Sequence, residues 1–122
     1  MGKRVMAVDD SATVRKVLQA TLVSAGYEVV EAFDGADALE KLSSDSVDML
    51  VTDLNMPNMD GIGLIQEVRQ EPGNRFMPII MLTSETQPET QSAGKAAGAS
   101  GWITKPFNPD QLLAVVRMVC PA

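Results

Sequence analysis

Four short apolar runs in this 122-residue chain end in groups suited to phosphoryl or metal chemistry. Val5-Met6-Ala7-Val8 leads into the acidic pair Asp9-Asp10, and Met49-Leu50-Val51-Thr52 leads into Asp53. Ile79-Ile80-Met81-Leu82 ends in Thr83-Ser84, and Trp102-Ile103 ends in Thr104-Lys105-Pro106. Strands buried on both faces of a parallel sheet read as continuous apolar runs, and open α/β sheets bind ligands beyond the carboxyl ends of their strands. If these runs are neighbouring parallel strands, three carboxylates, a hydroxyl and an ammonium meet at one edge. Three crowded carboxylates call for a cation. Mg²⁺ takes oxygen ligands, uses one or two carboxylates and keeps several waters. Asp9, Asp10 and Asp53 suit it, and they are too few for a closed Ca²⁺ cage. The backbone carbonyl of Asn55, just past the third run, is a candidate further ligand. Taken alone, Asp9-Asp10 reads as helix capping ahead of Ser11; Asp53 at a neighbouring strand end turns the pair into a metal site.

Asp53 is also a candidate nucleophile, since a carboxylate can attack phosphorus and form an aspartyl phosphate. Charge developing on the phosphoryl oxygens then needs cations and donors. Lys105 offers a compact ammonium, Thr83 a hydroxyl, and the backbone N–H groups of Ser84 and Asn55 further donors. Singly, Lys105 reads as a solvated loop lysine and Thr83 as a turn hydroxyl; their joint placement at strand ends carries the argument. A cis bond before Pro106 would make a tight turn able to aim Lys105 inward, although most such bonds are trans.

The elements that must position these groups alternate. Strands are expected over residues 4–8, 28–32, 47–52, 77–82 and 101–104. Ser11 caps a first helix with apolar Val14, Val17, Leu18, Leu22 and Ala25 at helical spacing, stopped at Gly26. Asp34-Gly35 opens a second helix with Ala36, Leu39 and Leu42 on one face. Asp60-Gly61 opens a third with Ile62, Ile65 and Val68, ending before Pro72-Gly73. Pro88 suits the first turn of a fourth helix. Its face of Ala93, Ala96 and Ala97, with Gly94 inside and Gly98 at its end, buries little area and leaves it weakly held. Asn108-Pro109 starts a fifth with Leu112, Val115, Val116 and Val119 inward. A (βα)₅ chain with right-handed crossovers forms a parallel sheet with helices on both faces. The expected fold is a flavodoxin-like three-layer sandwich of strand order 2-1-3-4-5, with its switch point between strands one and three.

Composition narrows the function. The chain is sized for one domain, with 45% hydrophobic residues and no run long enough to cross a membrane. The basic pair Lys3-Arg4 is followed by acids rather than a signal-peptide core, and an early strand argues against myristoylation. A net charge of −6 argues against direct nucleic-acid binding. The sole cysteine, Cys120, cannot form an internal disulfide, which fits a reducing, cytoplasmic setting. With no histidine in the chain, Ser–His catalysis, histidine metal ligation and a phosphohistidine on this chain are excluded.

Four motifs in order carry a family resemblance: VDDS at residues 8–11, TDLNMPNMDG at 52–61, MLTSE at 81–85 and GASGWITKPF at 98–107. Essentially the whole chain resembles the receiver domain of bacterial two-component response regulators, more narrowly the single-domain chemotaxis CheY type. The resemblance implies one receiver domain over residues 1–122 that accepts a phosphoryl group on Asp53 from a sensor histidine kinase, without being an enzyme in its own right. It implies Mg²⁺ on Asp9, Asp10, Asp53 and the Asn55 carbonyl, phosphate contacts from Thr83 and Lys105, and a cis peptide at Lys105-Pro106. It gives Asn55 and Glu85 control of phosphoryl lifetime. It assigns Thr83 and Trp102 a switch in which the threonine moves toward phosphate and the aromatic turns inward. The family often has Tyr or Phe where this chain has Trp102, and indole needs more room; the alanine-faced fourth helix would supply it. By itself Trp102 reads as ordinary surface packing. A monomer is expected, with a flagellar motor switch protein as leading partner. The chain stops directly after the last helix, so output is expected through binding. A phosphorelay or phosphate-sink regulator is the alternative. An aspartate-nucleophile phosphohydrolase would want Asp where Asn55 stands, and a flavin protein would want a hydroxyl-rich first loop.

Overall fold

Side-chain caps set where most of the helices begin. The computed structural model describes residues 2–84 and 87–121. Strands β1 (Arg4–Val8), β2 (Glu28–Ala32), β3 (Met49–Asp53), β4 (Ile79–Thr83) and β5 (Gly101–Thr104) alternate with helices α1 (Ala12–Ser24), α2 (Gly35–Leu42), α3 (Gly61–Gln70), α4 (Pro88–Ala97) and α5 (Pro109–Val119). A 3₁₀ turn, Pro72–Asn74, precedes β4. Ser11, Asp34, Asp60 and Asn108 each accept a backbone N–H from the first turn of α1, α2, α3 and α5, and Asn108 with Gln111 completes a capping box. Helix α4 starts on Pro88, and among the described residues its N-cap, Gln87, makes no side-chain cap bond.

The five strands are parallel in the order β2-β1-β3-β4-β5. Helices α1 and α5 pack on one face of the sheet around Val5, Ala7, Val51, Ile80 and Leu82. Helices α2, α3 and α4 cover the other, around Met6, Val8, Leu50, Ile79 and Met81. This is the flavodoxin-like sandwich that the alternation implies under the rule that βαβ crossovers are right-handed. The registers matter most for the site. Val8 pairs with Thr52, so Asp9 and Asp53 follow at adjacent strand ends. Thr83 pairs with Thr104, which puts Lys105 one residue past it.

Two strand starts differ from expectation. Strand β3 begins at Met49 rather than at residue 47, because Asp48 caps the start of β1 instead of extending the ladder: its N–H donates to the Arg4 carbonyl at 2.7 Å, and its carboxylate accepts the Arg4 N–H at 2.8 Å. Strand β4 begins at Ile79 rather than at residue 77, since Pro78 has no N–H to donate.

Helix faces also shift. In α1, Leu18, Thr21 and Leu22 are buried, whereas Val17 is 43% exposed. In α2, Ala38 is buried and Ala36 is exposed. In α4, Ala93 and Ala96 are exposed; Gly94 is buried and Ala97 partly so. The room beside Trp102 therefore comes from Gly94, where a Cβ would sit 3.4 Å from both the indole and the Met81 side chain.

Gly61 sets the closest approach between α3 and the exit of β3. Its N–H donates to the Leu54 carbonyl at 2.8 Å, and a Cβ here would collide with the carbonyl oxygen of Asp53. Gly61→Ala is expected to destabilise the fold by about 1–3 kcal/mol, seen in urea unfolding as a lower midpoint at unchanged m.

Candidate functional site

Each acid of the cluster is delivered by a strand end. Asp9 is fully buried at the end of β1, where its N–H bonds the Ala32 carbonyl of β2 at 3.1 Å. Its Oδ1 accepts the Ser11 N–H at 2.9 Å, so one oxygen is committed to the turn into α1. Asp53 closes β3 and is buried, while Asp10 is exposed. One carboxylate oxygen from each of the three lies within 4.8 Å of the others.

Lys105 closes this group from the far strand. Its Nζ lies 2.8 Å from Asp9 Oδ2 and 2.9 Å from Asp53 Oδ1. The peptide joining it to Pro106 is cis, and the Lys105 backbone N–H donates to the Thr83 carbonyl at 2.8 Å. Thr83 is buried at the end of β4, and Ser84 just beyond it is exposed. Asn55 is exposed in the loop after β3. Trp102 is half-buried against the α4 side of the sheet. Thus Asp9, Asp10, Asp53 and Lys105 stand in one constellation with Thr83 bonded at its margin, and Trp102 lies apart, on β5 three residues before Lys105 and paired with Met81 of β4. Glu85 lies outside the described residues.

The charges within the cluster pull on each other. Burial pushes the Asp53 carboxyl above the ordinary value, and the negative charges of Asp9 and Asp10 push it the same way, against the opposing pull of Lys105. Burial by itself would lower the Lys105 amine, but its hydrogen bonds and charge attraction to Asp9 and Asp53 outweigh this and raise it. Three carboxylates and one ammonium still leave the group formally two charges negative. Hard carboxylate oxygens, a net double negative charge and one exposed member open to water make a donor set that fits Mg²⁺, which bonds oxygen at about 2.0–2.1 Å and retains waters.

Two contributors were not apparent from residue types. Arg15 Nη1 donates to the Asp9 carbonyl at 2.6 Å while its Nε lies 3.5 Å from Glu31, which ties the acidic turn to β2. Its position one helical turn past the Ser11 cap was the available signal. Asn58 adopts a left-handed φ of 71° and donates to Asp34. An Asn after Pro57 is a turn signal, but it does not say what the amide reaches. Val17, exposed against expectation, lines an apolar groove of about 380 Å³ with Thr13, Val14, Ser84, Lys105 and Phe107.

A parallel α/β sheet with acids and a lysine gathered at its carboxyl edge defines a class of phosphoryl- and metal-handling sites. The chain belongs to the response regulator receiver domain family, whose model matches residues 5–117. Receiver domains are the phosphoacceptor signalling modules of two-component systems. The chain is 34% identical over 119 residues to the alkaline phosphatase synthesis transcriptional regulatory protein PhoP of Bacillus subtilis (strain 168), covering 98% of this chain and 49% of that one. It spans about half the length of the curated relatives it matches. Among solved structures it resembles the Vibrio cholerae chemotaxis protein CheY4, with 45% identity, TM-score 0.94, and coverage of 98% of this chain and 99% of that one. It also resembles the receiver domain of the sensor histidine kinase PA1611 from Pseudomonas aeruginosa PAO1, with 26% identity, TM-score 0.90 and full coverage of both chains. That receiver holds a magnesium ion in its active-site cleft. Among the described residues, no helix is long and apolar enough to cross a membrane.

The raised Asp53 carboxyl has a consequence for stability. An acid that binds its proton more tightly when folded destabilises the fold as it ionises. In divalent-free buffer, Asp53→Asn should therefore melt above wild type. The gap should open as pH rises from the ordinary carboxylate value of 3.8 through the raised value of Asp53, then level off. Thermal melts followed by circular dichroism across that range test this; a gap that does not change with pH contradicts it.

Proposed function

We propose that this chain is a phosphorylation-activated response regulator. Asp53 accepts a phosphoryl group from a phosphohistidine on a sensor histidine kinase in a Mg²⁺-dependent reaction, and the product switches partner binding. The observation that carries this reading is the Lys105 ammonium bridging Asp53 and Asp9 at 2.9 and 2.8 Å. An Asp53 oxygen forms the new P–O bond as the P–N bond to the donor imidazole breaks; the imidazole nitrogen keeps the electron pair and takes a proton. Lys105 follows the phosphoryl oxygens, with the Thr83 hydroxyl and the Ser84 and Asn55 N–H groups as donors. Asp9, Asp10, Asp53 and the Asn55 carbonyl would hold Mg²⁺, which when bound offsets charge on the phosphoryl oxygens. The chain is a phosphoacceptor that assists its own transfer, not a turnover enzyme. The apolar groove beside Lys105 offers a donor domain a surface next to the acids.

The new phosphoryl group adds roughly 1.5–2 negative charges and three strong acceptors. Thr83 moves to donate to one of them, and Trp102 follows into the vacated space, reshaping the surface from α4 through β5 to α5. Its indole already packs beside Gly94, and α4 has few buried side chains to resist displacement. End-to-end similarity to CheY4 favours chemotaxis, with a flagellar motor switch protein as the partner. Similarity to the receiver domain of the sensor histidine kinase PA1611 supports a second reading, a relay or sink receiver whose output lies elsewhere.

With acetyl phosphate and Mg²⁺, wild type should take up one phosphoryl group by mass spectrometry, and Asp53→Asn none. Lys105→Ala should slow labelling by about 10²-fold. Millimolar Mg²⁺ should raise the wild-type Tm, and Asp10→Ala should lose that shift. Strong labelling of Asp53→Asn at another residue contradicts the assignment.

Pull-downs comparing beryllofluoride-treated with untreated protein separate the outputs. Activation-dependent capture of a motor switch protein supports the chemotaxis reading. Capture of a histidine phosphotransfer protein alone supports the relay.

A further inference from the structure

The loop that leaves Asp53 is gripped at two places that no step of phosphoryl transfer uses. At its base, the Gly61 N–H closes onto the Leu54 carbonyl at 2.8 Å. At its tip, Asn58 holds a left-handed φ of 71°, and its Nδ2 donates to Asp34 Oδ2 at 3.1 Å. Asp34 is a buried and well-held anchor. Its Oδ1 accepts the Asp37 N–H at 2.7 Å as the cap of α2, and the Asp37 carboxylate in turn accepts the Phe33 N–H at 3.1 Å. Beside it, Gly35 leaves room for Met59; a Cβ there would sit 2.8 Å from the Met59 side chain. The start of α2 therefore grips residues 58 and 59, while the base fixes residues 54 and 61. Asn55 lies on the stretch between the two grips.

We propose that Asp34 and Asn58 are a positioning pair that holds residues 54–60 so that Asn55 meets the divalent cation beside Asp53. This rests on the metal-dependent reading above. Neither residue touches the reacting atoms. A loop ordered before the cation arrives loses little entropy on binding, whereas an untethered loop must be ordered at that moment. Outer partners that orient a metal's ligands commonly change affinity by one to two orders of magnitude when removed. The sheet and the Gly61 contact hold the fold without the pair, so the effect falls on binding rather than on folding.

Asn58→Gly tests this, because glycine keeps the left-handed backbone and removes only the amide. In titrations with Mg²⁺ alone, followed by amide chemical shifts, its affinity should fall about 10-fold. In the metal-free protein, amides 54–61 should exchange faster while Tm stays near wild type. Asn58→Asp should also weaken Mg²⁺ despite its extra negative charge, since it sets a second carboxylate against Asp34. Adding Asp34→Asn to it rebuilds the amide–carboxylate pair in reverse and should restore affinity, because Asn caps helices as well as Asp does. Wild-type affinity and exchange in Asn58→Gly overturn the pair alone, as does failure of the swap to rescue. A wild-type protein that binds no Mg²⁺ overturns the pair together with the metal-dependent reading.

Discussion

Negative charge concentrated at one sheet edge is the constraint around which this molecule is arranged. Asp9 and Asp53 are buried acids, and Asp10 adds a third charge at the rim. Burying ionised groups is expensive unless they are paired and hydrogen-bonded. Lys105 provides the pairing, and the Ser11 N–H provides part of the bonding to Asp9. The pairing is incomplete: the Asp53 carboxyl is displaced upward in spite of its lysine. The cluster is thus held in a state that a cation or a phosphoryl group with its counter-ion relieves. Such a site adds reactivity to the fold more than it adds stability.

Keeping that charge in place requires stiffness where the acids stand. Strands β3 and β4 are buried along their whole lengths, and the pairing of Val8 with Thr52 aligns the ends of β1 and β3. Arg15 fixes the turn after β1, and Gly61 seats α3 against the exit of β3. The cis peptide at Pro106 stands in the turn that delivers Lys105.

Helix α4 is built differently. Gly94 is its one buried residue, and among the described residues its N-cap, Gln87, makes no side-chain cap bond. Its other end is tied down. The Arg69 guanidinium donates to the Gly98 carbonyl at 2.7 Å and to the Asn74 and Met77 carbonyls at 2.7 and 2.6 Å. A helix clasped at its carboxyl end and lightly packed elsewhere is a low-stability element beside a rigid site. That contrast gives a local charge change at Asp53 an element to act on.

Apolar runs, caps and punctuating glycines determined much of this protein by themselves. The alternation of elements, the parallel sheet with its strand order, and the ends where Asp9, Asp53, Thr83 and Lys105 fall all follow from local periodicity and from crossover handedness. Local pattern could not settle which side of a helix meets the sheet. Val17, Ala36 and Ala93 each fit an apolar stripe, yet in α1, α2 and α4 they are exposed. Nor could it show that the Arg15 guanidinium reaches the Asp9 carbonyl or that the Asn58 amide reaches Asp34. Long polar side chains choose partners by distance in space. Only the packed tertiary structure decides those distances, because they depend on how separate elements rest against one sheet.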